Sequence, residues 1–455
     1  RLVVFAAFIP LLVRIVGENG FGVYALGMAL FIPLRKVLNF GLFDATKNHL
    51  SRTKSNHRPQ VISASFWLHI ALLLIGIPII FVISVILSIN DDFFISFIFI
   101  LVAVVGNQFF NFGRGVLHSY QLESLVEPLI LVRSLLLAII GLSFAHFGKR
   151  GVPGVFAGFA IGFLFVGFIA TVLAIRRTEF RIQFDWSAIQ NYGKPLLRFG
   201  FPSMVLLVLT VGLYKIDILL VSYFRTSAET GFYRAALQVA EFIWVISIGM
   251  EKIMIQSTAN LWKKNDTTAI TELTSRMLKY VILLTVIVLI GIFILSGEFL
   301  SLYFGSAYIQ SVRPLRILLP GILAFAIARS VWPVVQASGK LRLVVLSTFA
   351  AVVANGVLNL VLIPRYGIEG AAVATSISYI LMGMLHVGSA HKISVRPLKR
   401  FPTVRVVAVG LITYSLLVLF VSIIPIHLRL IVVPPIGFLI YVIGAFATGI
   451  VSWTN

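Results

Sequence analysis

Residues 194–262 read KPLLRFGFPSMVLLVLTVGLYKIDILLVSYF, then RTSAET, then GFYRAALQVAEFIWVISIGMEKIMIQSTANLW. Each apolar run exceeds the roughly 20 helical residues needed to cross a hydrocarbon core of about 30 Å. Yet Lys215, Asp217, Arg234 and Glu241 lie inside them. A charge at membrane depth costs at least about 2.5–3.5 kcal/mol on insertion scales, so it faces a partner or a water-filled cavity. The two runs therefore read as membrane helices forming one wall of a polar pathway.

The rest of the chain agrees. Of its 455 residues 59% are hydrophobic and only 12% are charged, with a mean hydropathy of +1.02. Soluble domains hold about 25% charged residues, so this is an all-α polytopic membrane protein whose first partner is the lipid bilayer. The net charge of +21 does not point to nucleic acid, because lysine and arginine collect in alternate loops. With no cysteine, disulfides, thiolate metal sites and cysteine nucleophiles are excluded. The chain starts at Arg1 with a short apolar run, which predicts a truncated first helix and a missing natural N-terminus.

Apolar runs predict fourteen spans, near 1–14, 21–43, 61–88, 93–113, 126–147, 151–175, 196–224, 231–256, 277–297, 313–337, 341–363, 368–390, 403–425 and 428–452. The tenth to twelfth are divided by the breaks GKLR (339–342) and PRYG (364–367). Basic loops hold Lys47, Arg52, Lys54 and Arg58; Arg176, Arg177 and Arg181; Lys263, Lys264 and Arg276; Lys340 and Arg342; and Lys392, Arg396, Lys399 and Arg400. With fourteen spans all of these fall on one side, which predicts a cytoplasmic (inner) membrane protein with both termini cytoplasmic. The opposite loops carry little charge (Arg14, the pair Lys149 and Arg150, Arg225, Arg365 and Arg429, with Asp91 and Asp92) and leave no room for an external catalytic domain.

Two short motifs repeat. Gly22-Val-Tyr24-Ala25 recurs as Gly231-Phe-Tyr233-Arg-Ala235, and Gly151-Val-Pro-Gly154 recurs as Gly367-Ile-Glu-Gly370. Six spans separate each motif from its copy, so the copies share an orientation. This predicts two six-helix lobes related by a pseudo-twofold along the membrane normal. The lobes are 1–175 and 196–390, joined by a cytoplasmic linker at 176–195, with two further helices in 391–455.

Arg14-Ile-Val-Gly17 with Gly22-Val-Tyr24, Asp217-Ile-Leu-Leu-Val-Ser222 with Thr230-Gly-Phe-Tyr233-Arg-Ala-Ala236, Tyr303-Phe-Gly305-Ser-Ala-Tyr308, Gln336-Ala-Ser-Gly-Lys340 and Tyr366-Gly-Ile-Glu-Gly-Ala-Ala372 follow one another along the chain. This ordered set resembles the polysaccharide-transporter family, the flippases of lipid-linked oligosaccharides. They belong to the multidrug/oligosaccharidyl-lipid/polysaccharide exporter superfamily. The resemblance implies two six-helix bundles around a cavity alternately open to either side. Fourteen spans also resemble the lipid II flippases, where the final pair borders a groove for the lipid tail. Arg35, Lys36 and Glu241 match no motif of the family.

Lys215 and Glu241 both fall about 15 Å from the outer ends of their helices, at mid-membrane. They form one expected pair, and Asp217 with Arg234 another, either fixing the helix hairpin or lining the cavity and exchanging partners during transport. Arg35, Arg133 and Arg329 occupy inner halves of their helices. A guanidinium fork binds phosphate oxygens bidentately and keeps its charge. Arg35, Arg133, Arg329 and Lys215 are thus the candidates for a pyrophosphate headgroup, against snorkelling to the inner headgroups. For Lys36, Arg198, Arg313 and Arg316 snorkelling is the expected role. Asn107, Gln108 and Asn111, and Asn355 with Asn359, suit interhelical hydrogen bonds before sugar contacts. Gly158 and Gly162 permit close helix packing. His69, His118 and His386 show no metal-ligand spacing, and His69 is a candidate proton carrier.

These residues predict a flippase for a polyprenyl-pyrophosphate-linked oligosaccharide, driven by protons, sodium ions or product removal, with no cofactor. Association with polysaccharide assembly enzymes fits the same role. The rivals are a cation-coupled multidrug exporter, which buried carboxylates would serve, and a membrane glycosyltransferase or polymerase, which would need an external catalytic loop. No phosphate-binding loop, HExxH or Ser/His/Asp set is present, so no ATP hydrolysis or other enzymatic role is expected. The glycan and its carrier, undecaprenyl or dolichyl, stay open.

Overall fold

The computed structural model describes residues 2–86, 91–399 and 401–451. Arg1, Arg400 and the expected helix ends at 87–88 and 452 lie outside the described residues. The helices are α1 (Leu2–Val37), α2 (Leu42–Arg52), α3 (Arg58–Ile86), α4 (Asp91–Ser119), α5 (Glu123–His146), α6 (Gly151–Arg177), α7 (Trp186–Ala188) and α8 (Lys194–Phe224). Then come α9 (Ser227–Phe242), α10 (Trp244–Lys263), α11 (Thr267–Tyr303), α12 (Val312–Ala337), α13 (Leu341–His391), α14 (Thr403–Ile423) and α15 (Ile426–Ala447). No strand occurs among the described residues.

Among the described residues, eleven helical stretches are long and apolar enough to cross a membrane. Two of them bend at a non-helical glycine, Gly17 in α1 and Gly367 in α13. Dividing both there adds two spans, and the α9–α10 stretch adds one, which is consistent with the expected fourteen.

The boundaries differ from the sequence reading at several elements, and the span expected at 277–297 runs from Thr267 to Tyr303. The break expected at 364–367 is a kink at Gly367, whose non-helical backbone separates two helices, and Arg225 donates from Nε and Nη2 to the Ile363 carbonyl (3.3 and 3.1 Å) and from Nη2 to that of Pro364 (3.2 Å). A cation thereby satisfies carbonyls that the bend releases. The span expected at 231–256 is two helices. At Ile243 the ladder tightens to i→i+3 bonds, and the Trp244 ring sits 4.6 Å from that of Phe325 in α12. The span expected to reach 43 stops at Val37, since Phe40 and Gly41 adopt φ of 49° and 70°. The basic stretch after it, read as a loop, is the amphipathic helix α2. Finally, the stretch 176–195 contains α7, capped by the Asp185 carboxylate on the Ala188 N–H (3.0 Å), and a π-helical turn at 189–193. The Ser187 hydroxyl and that N–H hold the exposed Asp185 carboxyl below its ordinary range. Similar capping starts α9, where Thr226 and Glu229 form a reciprocal box.

The chain forms two compact units, Arg1–Ser222 and Tyr223–Asn455. In the first, α6 packs on α4 and α5 through small residues. A Cβ on Gly158 would collide with the Gly141 backbone, and one on Gly106 would meet Phe163 and Leu164 backbone at about 2.5 Å. This is the close approach that small residues allow between membrane helices. Phe66, Phe112 and Phe180 fill the core beside them. In the second unit, α12 packs on α13, α10 and α11 around Val331, Val334, Val335 and Leu278.

Both repeated motifs have a structural counterpart. Gly151 and Gly367 adopt φ of 49° and 59°, and each opens a helix. The fourth residue of each motif then meets the end of the preceding helix. A Cβ on Gly154 would lie 2.7 Å from the Phe144 carbonyl carbon, and one on Gly370 would collide with the Leu362 carbonyl. Tyr24, 4% exposed, makes an edge contact with Phe159 of α6 at 6.2 Å. Tyr233, fully buried, meets the Thr375 hydroxyl at 3.2 Å. The Gly151-to-Gly367 offset of 216 residues carries Phe159 onto Thr375, so the repeated tyrosine touches the repeated position in each unit.

Candidate functional site

In the first unit the deep cations lie against aromatic faces. Arg133, buried in α5, places its guanidinium 4.5 Å from the Phe163 ring centroid and 5.2 Å from that of Phe110. Arg35 lies 5.3 Å over Phe31, one helical turn earlier. A cation over a ring gains from its quadrupole without losing its charge. Lys215 and Asp217 sit on α8, where Asp217 is 1% exposed and accepts the Ile218 N–H at 2.8 Å. Their expected pairing with Glu241 and Arg234 would run between the units and remains a proposal.

A chain of hydrogen bonds adjoins Arg35. Gln108 of α4 donates to the Arg35 carbonyl (2.8 Å) and accepts from Asn39 (3.1 Å), whose amide nitrogen also lies 3.4 Å from His69 Nε2. Gln108 thus bonds between helices, as expected. At the end of α4, Arg114 and His118 converge on Glu127 of α5 (2.8 Å each).

In the second unit the deep arginines meet glutamates. Arg234 Nη1 reaches Glu241 at 3.0 Å, two helical turns along α9. Arg329 Nε reaches Glu251 of α10 at 2.7 Å, and its guanidinium lies 5.7 Å from the Phe325 ring. Arg429 meets Glu298 at 3.0 Å. Glu251 and Glu298 were missed in the sequence. Glu251 could have been flagged as a third carboxylate in the opening stretch, but the expected helix end at 256 made it look peripheral. Asn355 and Asn359 are fully buried and bond each other, Asn355 also reaching Thr375 across the bend of α13.

An apolar groove of about 750 Å³ runs along α11, with walls from α14 and α15. Ile287, Leu295, Leu302, Leu417, Val433 and Phe438 line it, and Ser296 is its one hydroxyl. The lining of α11 from Ile287 to Leu302 covers about 22 Å at 1.5 Å per residue, most of a hydrocarbon core. At one end stand the Arg429–Glu298 pair and Arg316, which bonds the Phe293 carbonyl and Ser296 hydroxyl at 3.1 Å. Among the described residues no group of acidic, histidine or cysteine side chains is arranged to hold a metal ion.

Membrane-crossing helices in two units, deep arginines and a long apolar groove define a membrane transporter fold. Comparison with known proteins makes this specific: residues 11–313 match the family model described as polysaccharide biosynthesis protein, and the chain belongs to that family. A Haloferax volcanii protein named as a probable low-salt glycan biosynthesis flippase, Agl15, is 28% identical over 39% of this chain and 37% of its own length. A Shigella flexneri protein named as an O-antigen transporter is 24% identical over 82% of this chain and 90% of its own. Among solved structures, the lipid II flippase MurJ in an inward closed conformation aligns with a TM-score of 0.76. That alignment has 17% identity and covers 97% of this chain and 96% of that one. An inward-facing multidrug resistance MATE family transporter gives a TM-score of 0.72 at 14% identity, over 88% and 96% of the two chains. The fold is therefore the all-α, two-lobe fold of these transporters.

Proposed function

We propose that this chain is a flippase carrying a polyprenyl-pyrophosphate-linked oligosaccharide from the cytoplasmic to the outer leaflet of the cell membrane, with both termini cytoplasmic. The observation that carries the reading is the coexistence, in a polysaccharide biosynthesis family member, of membrane-depth arginines with an apolar groove that covers most of the thickness of a membrane core. The two chemistries are those of one substrate. Arg35 and Arg133, held on aromatic faces, keep full charge for pyrophosphate oxygens. The groove offers the prenyl tail an apolar wall, so the tail need not cross a polar path.

Lys215 and Arg329 complete the proposed headgroup set. Asp217, Glu241 and Arg234 are the groups that would exchange partners as the lobes 1–175 and 196–390 rock about the linker at 176–195. Relatives named as transporters and flippases support transport rather than catalysis by this chain. Enzymes of polysaccharide assembly are its natural neighbours, because they make the substrate and consume the product.

The test is headgroup accessibility in sealed proteoliposomes. A fluorescent pyrophosphate-linked oligosaccharide lipid is probed with an external glycan-cleaving enzyme. Wild-type protein should expose the protected pool, and Arg133→Leu should slow exposure by at least about tenfold, the loss of one charge-assisted contact. Wild-type flipping by a folded Arg133→Leu protein removes Arg133 from the headgroup set. Efflux of cationic dyes without any glycolipid exposure would instead identify a drug exporter.

A further inference from the structure

We propose that His69 is the proton-binding residue of the first unit, and that a proton on its Nε2 unlatches the corner between α1 and α2. The inference rests on the flippase reading above, to which it adds the coupling ion. His69 lies eleven residues into α3, about 16 Å along the helix axis, and is 2% exposed. An ionisable side chain at that depth has a function by default.

Its protonation state follows from its neighbours. The Ser65 carbonyl lies 2.8 Å from His69 Nδ1. A carbonyl only accepts, so Nδ1 carries a hydrogen. The other ring nitrogen is fixed from the far end of the chain of bonds. The Arg35 carbonyl also only accepts, so Gln108 turns its Nε2 to it at 2.8 Å. Gln108 Oε1 then faces Asn39 and must be met by the Asn39 amide nitrogen, at 3.1 Å. The Phe43 backbone N–H, 3.4 Å from Asn39 Oδ1, fixes the same orientation independently. Asn39 therefore presents N–H to His69 Nε2 at 3.4 Å, and that nitrogen must offer a lone pair. The resting imidazole is neutral, with its hydrogen on Nδ1.

A proton arriving from water bonds to the Nε2 lone pair and sets N–H against N–H. Asn39 cannot turn its amide over in answer, because both Gln108 and the Phe43 N–H would lose their partner. The Asn39 contact must break instead. Asn39 stands at the corner where α1 ends and α2 begins, beside Phe40 and Gly41 in left-handed conformation. The same amide chain holds the last turn of α1 through the Arg35 carbonyl. Proton uptake thus loosens the turn that carries a proposed headgroup arginine.

The ring is otherwise enclosed by Phe112, at 5.9 Å edge to face. The ionisable side chains on the elements around α3 are Arg35 and Lys36 of α1, Asp44, Lys47, His49 and Arg52 of α2, Arg114 and His118 of α4, His57 of the 3₁₀ turn before α3, and Tyr192 of the π-helical turn. None of these takes part in the chain of bonds that sets the His69 tautomer.

The test reads the corner directly and flipping separately, on the full chain in lipid. Amide hydrogen exchange of residues 38–46, corrected for the intrinsic pH dependence, is followed from about pH 8 down to about pH 3, a range wide enough to reach the charged form of a buried imidazole. Protection should fall by about tenfold as His69 gains its proton, and His69→Gln should abolish the change. Gln108→Leu removes one of the two contacts that hold the Asn39 amide in place, so protection of the corner should fall at every pH. A corner whose protection ignores pH in the wild type, or responds equally in His69→Gln, overturns the latch. In proteoliposomes, a one-unit proton gradient should change wild-type flipping by up to about tenfold and leave His69→Gln unaffected. Flipping that ignores the gradient overturns the coupling. A wild-type protein that flips no glycolipid overturns the flippase reading, while hydrogen exchange still decides the latch.

Discussion

Arg133 of the first unit lies between the rings of Phe163 and Phe110, whereas Arg329 of the second unit grips Glu251 at 2.7 Å. Both guanidinium groups sit deep in a transporter fold, and both units repeat the same glycine corner and the same tyrosine. The contacts described at these two positions differ in kind, although Arg329 also lies 5.7 Å from the Phe325 ring and the first unit holds an ion pair of its own, Arg114–Glu127. An aromatic cradle lowers the cost of burying a cation while leaving it cationic. An ion pair neutralises it, and separating the pair leaves an uncompensated charge that costs far more. The first arrangement leaves the ring faces beside the guanidinium whatever anion it meets. The second suits a group whose bond is broken and remade between conformations, or one that fixes two helices together.

The largest expected effect comes from breaking the second arrangement. Glu251→Ala should destabilise the protein by about 3 kcal/mol, toward the lower end for a buried pair because both partners are partly exposed. Thermal unfolding in detergent measures this. The double variant Arg329→Met with Glu251→Leu should regain most of the loss, and additive losses would show that the pair is not coupled.

The shared corner gives the next test. Gly154→Ala and Gly370→Ala each push a methyl group into the backbone of the preceding helix and should cost about 1–3 kcal/mol. Similar melting shifts would show that the repeat is one device used twice. A shift in only one would confine it to that unit. The smallest effect belongs to Tyr233→Phe, which removes the hydroxyl contact with Thr375 and should cost about 1 kcal/mol. An unchanged melting temperature would show that ring burial alone holds the tyrosine.

Much of this was legible in the sequence, because hydrophobic length and loop charge act locally along the chain. The spans of α3, α5, α6, α12 and α14 can be read to within about three residues. The corner at Gly367 was found both as a repeat and as a break between two spans, but not how tight it is, since the arginine that satisfies its carbonyls comes from residue 225, far back in the chain. Ile243 carries no proline or glycine signal. Its break arises from how Trp244 packs on Phe325, a tertiary contact. Buried polar groups behaved likewise. Gln108 and Asn359 announced interhelical bonds by their residue type, but not their partners. His69 looked like a lone histidine because Asn39 and Gln108, which define its tautomer, lie 30 and 69 residues away. The Arg329–Glu251 pair escaped for the same reason, being 78 residues apart in sequence.

The bend at Gly367 also bears on how this chain can change length. A surface loop absorbs an added residue by bulging, as the four residues between α5 and α6 can. At Gly367 the two helical halves of α13 meet with no loop between them, and Gly370 lies against the Leu362 carbonyl. One residue inserted at 364–366 would move Leu362 and Gly370 out of that register and take the Ile363 and Pro364 carbonyls away from Arg225. Thr375, Tyr379 and His386, all now buried, follow directly after the corner and would be displaced with it. Insertions and deletions at this corner should therefore be lethal to the fold in ones and twos, and length variation among working variants should gather at 147–150 instead.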